Sequence, residues 1–231
     1  MGDRISRRKL AAILSADVVG YSQLMAANEA ATVETLKSYR DIIGGLVVRH
    51  GGRVVNAPGD ALLAEFPSAV EAVQTAVEVQ KSLEGHNNGL ESERRMQFRI
   101  GLNLGDVIEE ADGTIYGDGV NIAARMEDLA EGGGVCISSI VYDAVEGKLS
   151  YGFDFLGEQR FKNISKPLRV YRVCYEPKPI SQRSVSGPSL VDKPSIAVLP
   201  FVNMSGDHAH DYLSDGITEN IITGLSRFRD L

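Results

Sequence analysis

Residues 51–66 read GGRVVNAPGDALLAEF, and this stretch decides the fold. Two short apolar segments, 53–56 and 61–66, flank the dipeptide Pro58-Gly59, which is typical of tight turns. The pattern predicts a β-hairpin, in which two strands run antiparallel. A parallel pair would need a much longer crossover connection, so the hairpin favours a sheet that is largely antiparallel.

Strands and helices are predicted on both sides of this hairpin. Apolar residues at helical spacing predict helices over 30–50, 68–83, 119–130 and 139–145. Apolar runs rich in β-branched residues predict further strands over 9–19, 97–108, 134–138, 153–161 and 168–174. We therefore expect an α+β fold, a ferredoxin-like sandwich with helices packed on a largely antiparallel sheet.

The composition excludes several classes of protein. The 231 residues are 43% hydrophobic, which is too apolar for a wholly disordered chain. A net charge of −7 argues against a nucleic-acid partner, because binding to a polyanion depends on Lys and Arg. No run approaches the roughly 18 apolar residues of a membrane span, and the polar N-terminus is unlike a secretory signal. The two cysteines, Cys136 and Cys174, are expected to be reduced, which indicates a cytoplasmic protein.

The chain changes in character after about residue 175. Residues 176–194 hold four prolines and four serines, which predicts a linker because these residues resist regular structure. Residues 195–231 then predict one strand and one helix, which cannot bury a core alone. We therefore expect a catalytic or binding domain at 8–175, a linker at 176–194 and the truncated start of a second domain at 195–231.

Two aspartates are candidates for a metal site. Asp17 ends the apolar segment LAAILSADVVGYS (10–22), where an unpaired carboxylate is expensive to bury; the alternative is a cap for the helix that begins near Ser22. Asp60 lies in the predicted hairpin turn, where Asp is also common for local hydrogen bonding. At the ends of adjacent strands, the two could bind divalent ions beside a substrate phosphate. N–H groups at the following helix start would suit a polyphosphate.

A third segment, YGDGVNIAARME (116–127), carries a polar pair on a predicted helix. Asn121 and Arg125 are four residues apart and therefore share a helix face. This pair is either a solvated polar stripe or a pair that projects into a cleft. In a cleft, Arg125 could neutralise charge that develops on a phosphate.

In this order, the segments resemble the catalytic domain of the class III nucleotidyl cyclases, over about residues 8–175. DVVGYS (17–22) is similar to the family's first metal-binding segment, and GGRVVNAPGDALLAEF to its second. YGDGVNIAARM is similar to its transition-state helix, and LGEQRFKNISKPLRVYRV (156–173) to its closing hairpin. The resemblance implies an adenylate cyclase that converts ATP to 3′,5′-cyclic AMP and pyrophosphate.

The resemblance also implies the ligands of the metal ions and of the phosphates. Two divalent ions per site, Mg²⁺ or Mn²⁺, would be bound by Asp17, by the Val18 carbonyl and by Asp60, and would activate the ribose 3′-hydroxyl for attack on the α-phosphate. The outer phosphates would contact Gly20, Tyr21, Ser22 and Lys162.

The same resemblance implies a composite active site. Asn121 would orient the ribose, and Arg125 would stabilise charge at the α-phosphate. In this family the metals are bound by one domain, while the base, ribose and phosphate contacts come from the other. A chain with both sets is therefore expected to act as a head-to-tail homodimer with two sites.

The residues expected to bind the base depart from the family pattern. Adenylate cyclases of this family usually read adenine with a Lys and an Asp, and these positions align with Asn56 and Thr114. A threonine occurs at the second position in one branch of adenylate cyclases. The Asn56 carboxamide can pair with adenine, and in its flipped orientation with guanine. Asp106 also replaces an Arg that binds phosphate in some relatives.

Three alternatives therefore stay open: a guanylate cyclase, a cyclic-pyrimidine cyclase and a catalytically silent module that dimerises or senses nucleotides. Segment 195–231 resembles the start of a TolB-like domain, which follows the cyclase domain in some bacterial proteins. The resemblance implies a bacterial, cytoplasmic enzyme with several domains.

Overall fold

The computed structural model describes residues 7–161 and 167–175. Lys162, the predicted linker 176–194 and the TolB-like segment 195–231 lie outside the described residues. The elements follow in the order β1 (Arg7–Val18), α1 (Tyr21–Ala27), α2 (Glu29–Arg49), β2 (Arg53–Asn56), β3 (Leu62–Phe66), α3 (Ala69–Asn87), β4 (Phe98–Glu109), β5 (Ile115–Tyr116), α4 (Asp118–Asp128), β6 (Val135–Ser138), α5 (Ser139–Val145), β7 (Gly152–Gln159) and β8 (Leu168–Cys174).

The strands form one sheet in the order β2-β3-β1-β4-β6-β8-β7, with the short β5 paired to β4. The pairs are antiparallel except β4 with β6, which run parallel. The predicted hairpin is the antiparallel pair of β2 and β3. The expectation of an α+β fold with a largely antiparallel sheet is confirmed.

One face of the sheet is covered by α2, α3 and α5, and the main core lies there. Alternate residues of β1, among them Leu14 and Val18, point into this core because side chains of a strand alternate between its two faces. Helix α2 begins at a cap in which the Asn28 side chain accepts a hydrogen bond from the Ala31 N–H. It ends before Gly51, whose φ of 70° is the left-handed conformation that commonly stops a helix.

The opposite face of the sheet carries α4, which lies directly on β4. Glycines make this close contact possible: a Cβ on Gly101 would lie 2.0 Å from the Glu127 nitrogen, and one on Gly119 would lie 2.9 Å from Ile13 Cδ1. A small apolar cluster between α4 and the sheet includes Ile13, Val107 and Ala123. We call this side the α4 face.

The structure differs from the sequence expectations mainly at short elements. Strand β5 and the 3-10 turn Ser92–Arg94 were not predicted, because two or three residues give no readable periodicity. Helix α3 extends to Asn87, four residues beyond its predicted end. Within the described ranges, no helix combines the length and the apolar character that crossing a membrane would need.

Candidate active site

Asp17 lies near the end of β1 on the α4 face and is held by an arginine of the neighbouring strand. The β1–β4 register pairs Asp17 with Arg99. Arg99 donates from Nε to Asp17 Oδ1 (2.9 Å) and from Nη2 to Oδ2 (2.5 Å). The Asp17 side chain is 21% exposed. The cap interpretation of Asp17 is wrong, because α1 is capped by Gly20 and no side chain bonds to its start.

Asp60 lies in the turn between β2 and β3, which a second arginine holds from outside the sheet. Arg40 of α2 donates from Nη2 to the carbonyl oxygens of Ala57 (2.8 Å), Gly59 (2.5 Å) and Ala61 (3.2 Å). One guanidinium therefore fixes the backbone on both sides of Asp60.

The sheet register brings both aspartates to the same end of β1 and β3. The last recorded pair of these antiparallel strands is Ala16 with Leu62. Asp17 follows Ala16 directly, and Asp60 precedes Leu62 by two residues. The expectation that the two carboxylates lie at the ends of adjacent strands therefore agrees with the backbone.

The donor chemistry of these residues suits Mg²⁺ or Mn²⁺. Carboxylate and carbonyl oxygens are hard ligands, and Mg²⁺ is commonly bound by one or two carboxylates together with substrate phosphates. Two N–H donors of Arg99 leave lone pairs of Asp17 available, since a carboxylate has about four acceptor positions. Within 7–161 and 167–175, no cluster of three or more His, Cys, Asp or Glu could hold a metal by itself. A site completed by substrate phosphate needs no such cluster.

The segment expected to bind phosphate turns sharply from β1 into α1. Gly20 has a φ of 67°, a left-handed conformation that glycine adopts without strain. The Gly20 carbonyl accepts the first helical hydrogen bond from the Gln23 N–H (2.9 Å). Tyr21 is half-buried against the main core, and Ser22 is exposed. The N–H groups of Tyr21 and Ser22 thus precede the first helical bond, as a helix start requires.

Asn121 and Arg125 lie on the outward side of α4, and both are exposed. Arg125 donates to Asp128 Oδ2 (3.1 Å), and both side chains are about half exposed. Asn103 of β4 fixes the start of the helix by donating to the Gly119 carbonyl (3.1 Å). The predicted shared face is therefore present and is directed away from the sheet of its own chain.

Glu127 is a buried carboxylate of the α4 face that the sequence interpretation missed. Its residue is 8% exposed, and its Oε2 accepts a hydrogen bond from Ser15 Oγ (2.5 Å). Burial raises the pKa of Glu127 to about 7, although the Ser15 hydrogen bond and Arg99 oppose the change. The charge of Asp17 adds to the rise. A carboxylate that can hold a proton near neutral pH thus lies close to the candidate metal site.

The two candidate base contacts, Asn56 and Thr114, lie at different elements of the sheet. Asn56 is the last residue of β2, follows a break in the strand register and is exposed. Thr114 is half-buried in the turn between β4 and β5. Its N–H donates to Asp112 Oδ1 (2.9 Å), and its carbonyl accepts from the Glu110 N–H (2.9 Å).

A cavity of about 730 Å³ lies behind α1 rather than at these residues. Its lining includes Gly20, Gln80 and Tyr175, and among the predicted site residues that the structure describes, Gly20 is the only one present. The candidate catalytic side chains instead face open solvent in a single chain. A substrate in contact with all of these side chains would therefore need a second protein surface to enclose it.

A model of one protein family matches residues 5–173, and its description is "Adenylate and Guanylate cyclase catalytic domain". The chain belongs to this family. The cyclase domain thus covers most of the 231 residues. The class of fold and the nucleotidyl cyclase family expected from the four segments are both confirmed.

Relatives extend this assignment. "Putative adenylate cyclase 3" of Rhizobium meliloti is 44% identical over 97% of this chain, and this chain spans only 39% of that relative. A crystal structure of an "Adenylate/Guanylate Cyclase/Hydrolase" from Silicibacter pomeroyi is 39% identical in sequence and superposes with a TM-score of 0.69. The match covers 74% of this chain and 99% of the Silicibacter chain. The adenylyl cyclase CyaB from P. aeruginosa, at 23% identity and a TM-score of 0.64, shares the fold.

Three side chains at or beside the candidate site were not identified from the sequence: Arg40, Arg99 and Glu127. Arg99 had a weak signal, because it is a charged residue within the apolar strand predicted over 97–108, but its pairing with Asp17 depends on the β1–β4 register. Arg40 had none, since its partners are backbone carbonyls in a turn 17 to 21 residues further along the chain.

Proposed function

We propose that this cyclase domain is an adenylate cyclase that converts ATP to 3′,5′-cyclic AMP and pyrophosphate. The observation that carries the proposal is the convergence of Asp17 and Asp60 at one end of β1 and β3 within a cyclase fold. The name of the 44% identical relative supports the choice of ATP. The presence of both carboxylates together with Asn121 and Arg125 argues against the catalytically silent module, which does not need them.

The proposed reaction is an in-line displacement at the α-phosphorus. The ribose 3′-oxygen forms a bond to the α-phosphorus, the bond from that phosphorus to the bridging oxygen breaks, and pyrophosphate leaves with the electron pair. The hydroxyl proton passes to solvent. Two Mg²⁺ or Mn²⁺ ions, when bound by Asp17, Asp60 and the Val18 carbonyl, would supply charge neutralisation for the attacking and leaving oxygens.

The other residues bind and orient the nucleotide. Arg125 places its positive charge at the α-phosphate, where negative charge grows in the transition state. Asn121 orients the ribose so that its 3′-hydroxyl faces the α-phosphorus. The N–H groups from Gly20 to Ser22, together with Lys162, hold the outer phosphates.

A homodimer with composite sites accounts for the exposure of these groups. Asn56, Asn121 and Arg125 are all exposed in one chain. A charged group gains most from a substrate phosphate when water is excluded from the site, and exposed residues of one chain cannot exclude it. A second copy placed head to tail would cover the α4 face and complete two sites.

We further propose a cytoplasmic bacterial enzyme whose segment 195–231 begins a TolB-like domain.

Asn56 and Thr114 are proposed to contact adenine. One carboxamide offers an acceptor and a donor, which match the N6 amino group and N1 of adenine. The same carboxamide in its flipped orientation matches guanine, so a guanylate cyclase is the second candidate. Thr114, whose hydroxyl can donate or accept, discriminates weakly between the two bases.

The test is product analysis by chromatography with ATP, GTP, CTP and UTP, each with Mg²⁺ and then with Mn²⁺. We expect 3′,5′-cyclic AMP from ATP as the dominant product. The Asp17→Asn protein is the matched control, and it should give no product from any nucleotide. Dominant turnover of GTP would replace adenylate by guanylate cyclase, and no product from a folded dimer would overturn the enzyme assignment.

A further inference from the structure

Four charged side chains form a closed ring on the α4 face, at the end of the sheet opposite Asp17. Lys9 Nζ lies 2.7 Å from Glu65 Oε1 and 2.9 Å from Glu109 Oε2. Arg53 Nε lies 2.6 Å from Glu65 Oε1, and its Nη2 lies 2.7 Å from Glu109 Oε1. The ring therefore alternates in sign and joins β1, β3, β2 and β4.

The ring is partly shielded from water, so its members depend on one another. The side chain of Glu65 is 8% exposed, and those of Lys9 and Glu109 are 26% and 25% exposed. A carboxylate with so little exposure is costly unless it is paired, and both Lys9 and Arg53 pair with Glu65. Lys9 also lowers the pKa of Glu109 through their hydrogen bond.

Arg53 makes one contact that no other member of the ring makes. Its Nη2 also donates to the Gly113 carbonyl (2.8 Å), in the turn between β4 and β5. The turn passes close to the guanidinium: Gly113 has a φ of 84°, and a Cβ there would lie 3.0 Å from Arg53 Nη1. Thr114 is the next residue, and its carbonyl bonds back to the Glu110 N–H.

Arg53 thereby links the two candidate base contacts. It lies on β2, the four-residue strand that ends at Asn56, and it holds the turn that contains Thr114. Strands β2 and β4 are not neighbours, because β3 and β1 lie between them. The side chain of Arg53 therefore adds a link between β2 and the turn before Thr114 that the sheet hydrogen bonds do not provide.

We propose that Arg53 is a positioning residue for base selection: through Gly113 it holds Thr114 at a fixed distance from Asn56. This inference rests on the proposed function, since it assumes that Asn56 and Thr114 contact the base. The contribution is to the affinity and choice of nucleotide rather than to the displacement step.

The experiment compares Arg53→Gln with Lys9→Gln. Both substitutions open the ring, but only the first removes the bond to Gly113. We expect Arg53→Gln to raise the KM for ATP and to lower the ratio of kcat/KM for ATP over GTP, each by about threefold to tenfold, with kcat nearly unchanged. Lys9→Gln should lower the melting temperature similarly and leave both kinetic quantities within about twofold of the wild type. Equal kinetic effects in the two variants would overturn the proposal.

Arg53→Lys sharpens this comparison. An ammonium can still pair with Glu65, but it lacks the fork that reaches Glu109 and Gly113 together. We expect it to restore most of the melting temperature without restoring the ATP/GTP ratio. Full rescue of that ratio would show that charge in the ring, rather than the bond to Gly113, is what matters.

Hydrogen exchange separates failure of this inference from failure of the proposed function. In Arg53→Gln, the amides of Gly113 and Thr114 should exchange at least about threefold faster than in Lys9→Gln, whether or not the chain is active. If the wild type makes no cyclic nucleotide but exchange rises, the turn is held by Arg53 and the functional assignment fails. If cyclic AMP is made and exchange does not rise, the inference on Arg53 fails alone.

Discussion

The two faces of the sheet are built from different kinds of residues, although the same strands supply both. On the face covered by α2, α3 and α5, the strands contribute apolar side chains such as Leu14, Phe66 and Ile100, all at most 1% exposed. On the α4 face, the same strands contribute Asp17, Arg99 and a ring of four charges. The first face stabilises the fold, and the second carries the groups that we propose bind the nucleotide and its metal ions.

Three arginines fix the segments that carry the candidate site residues, as apolar packing fixes the core on the other face. Arg99 holds Asp17, Arg40 holds the Asp60 turn and Arg53 holds the Thr114 turn. A guanidinium presents five donors in a rigid fork, so one side chain can fix several acceptors at once. Polar positions that packing cannot fix are thus held by hydrogen bonds from outside the predicted site.

The largest expected effect tests whether the α4 face acts alone or against a second copy. Asp17→Asn and Arg125→Ala should each lower kcat by about a thousandfold or more, because each removes charge stabilisation at the reacting phosphate. In a head-to-tail dimer, mixing the two inactive proteins creates heterodimers with one intact site. Assay of an equimolar mixture should recover roughly a quarter of the wild-type rate, by random pairing of copies.

Unfolding curves control this experiment. The Arg125–Asp128 pair is about half exposed, so its loss should change stability very little. A mixture that stays inactive, with both proteins folded and dimeric, would show that Asp17 and Arg125 serve a site within one chain.

The sequence predicted the two faces unequally. Helices α2 and α3 and the β2–β3 hairpin follow from periodicity and from Pro58-Gly59, because burial of apolar residues leaves a local pattern. The close contact of α4 with β4 depends on Gly101 and Gly119, which are far apart in the sequence. Asp17 and Asp60 could be predicted as metal ligands because a carboxylate stands out within an apolar segment or a short turn. The contacts of Arg99 with Asp17 and of Arg40 with the turn around Asp60 could not be predicted, since each depends on tertiary structure.

The second effect is a change in stability with pH on the α4 face. The pKa of Glu127 is raised to about 7 from its ordinary 4.5 because the carboxyl is buried. The native state therefore binds more protons than the unfolded state between these values, and stability falls as pH rises through this window. Glu127→Gln, which does not titrate, should become more stable than wild type by up to about 3 kcal/mol at pH 8, and by much less at pH 5.

Urea unfolding at a series of pH values, with a chelator present, measures this difference. Glu158→Gln is the control for the change of charge alone, because Glu158 is exposed on β7. A difference between Glu127→Gln and wild type that stays constant from pH 5 to pH 8 would contradict the raised pKa.

The smallest effect lies at the edge of the helix-covered face, where His50 joins α2 to α3. Its Nδ1 lies 2.7 Å from Glu71 Oε2, and its Nε2 lies 2.8 Å from Glu78 Oε2. Both ring nitrogens must donate, so the contact requires the charged imidazolium, and the hydrogen bonds to Glu78 and Glu71 raise the pKa of His50. Its contribution is complete below the ordinary pKa of about 6.5 and is lost as pH rises through the raised value.

His50→Gln should therefore lose stability at pH 6 and lose almost none at pH 9. We expect about 1 kcal/mol at pH 6, since Glu71 and Glu78 are 43% and 39% exposed and solvent weakens the pairs. His86→Gln is the matched control, because its ring contacts the Ser82 carbonyl and the Tyr39 ring and pairs with no carboxylate within the described residues. Both contributions are lost as pH rises, on Glu127 as pH passes through about 7 and on His50 as pH rises through a pKa raised above its ordinary 6.5. Glu127→Gln should remove the pH dependence caused by Glu127 and leave that caused by His50, and His50→Gln should do the reverse. A double variant that kept either pH dependence would show that a different group is responsible for it.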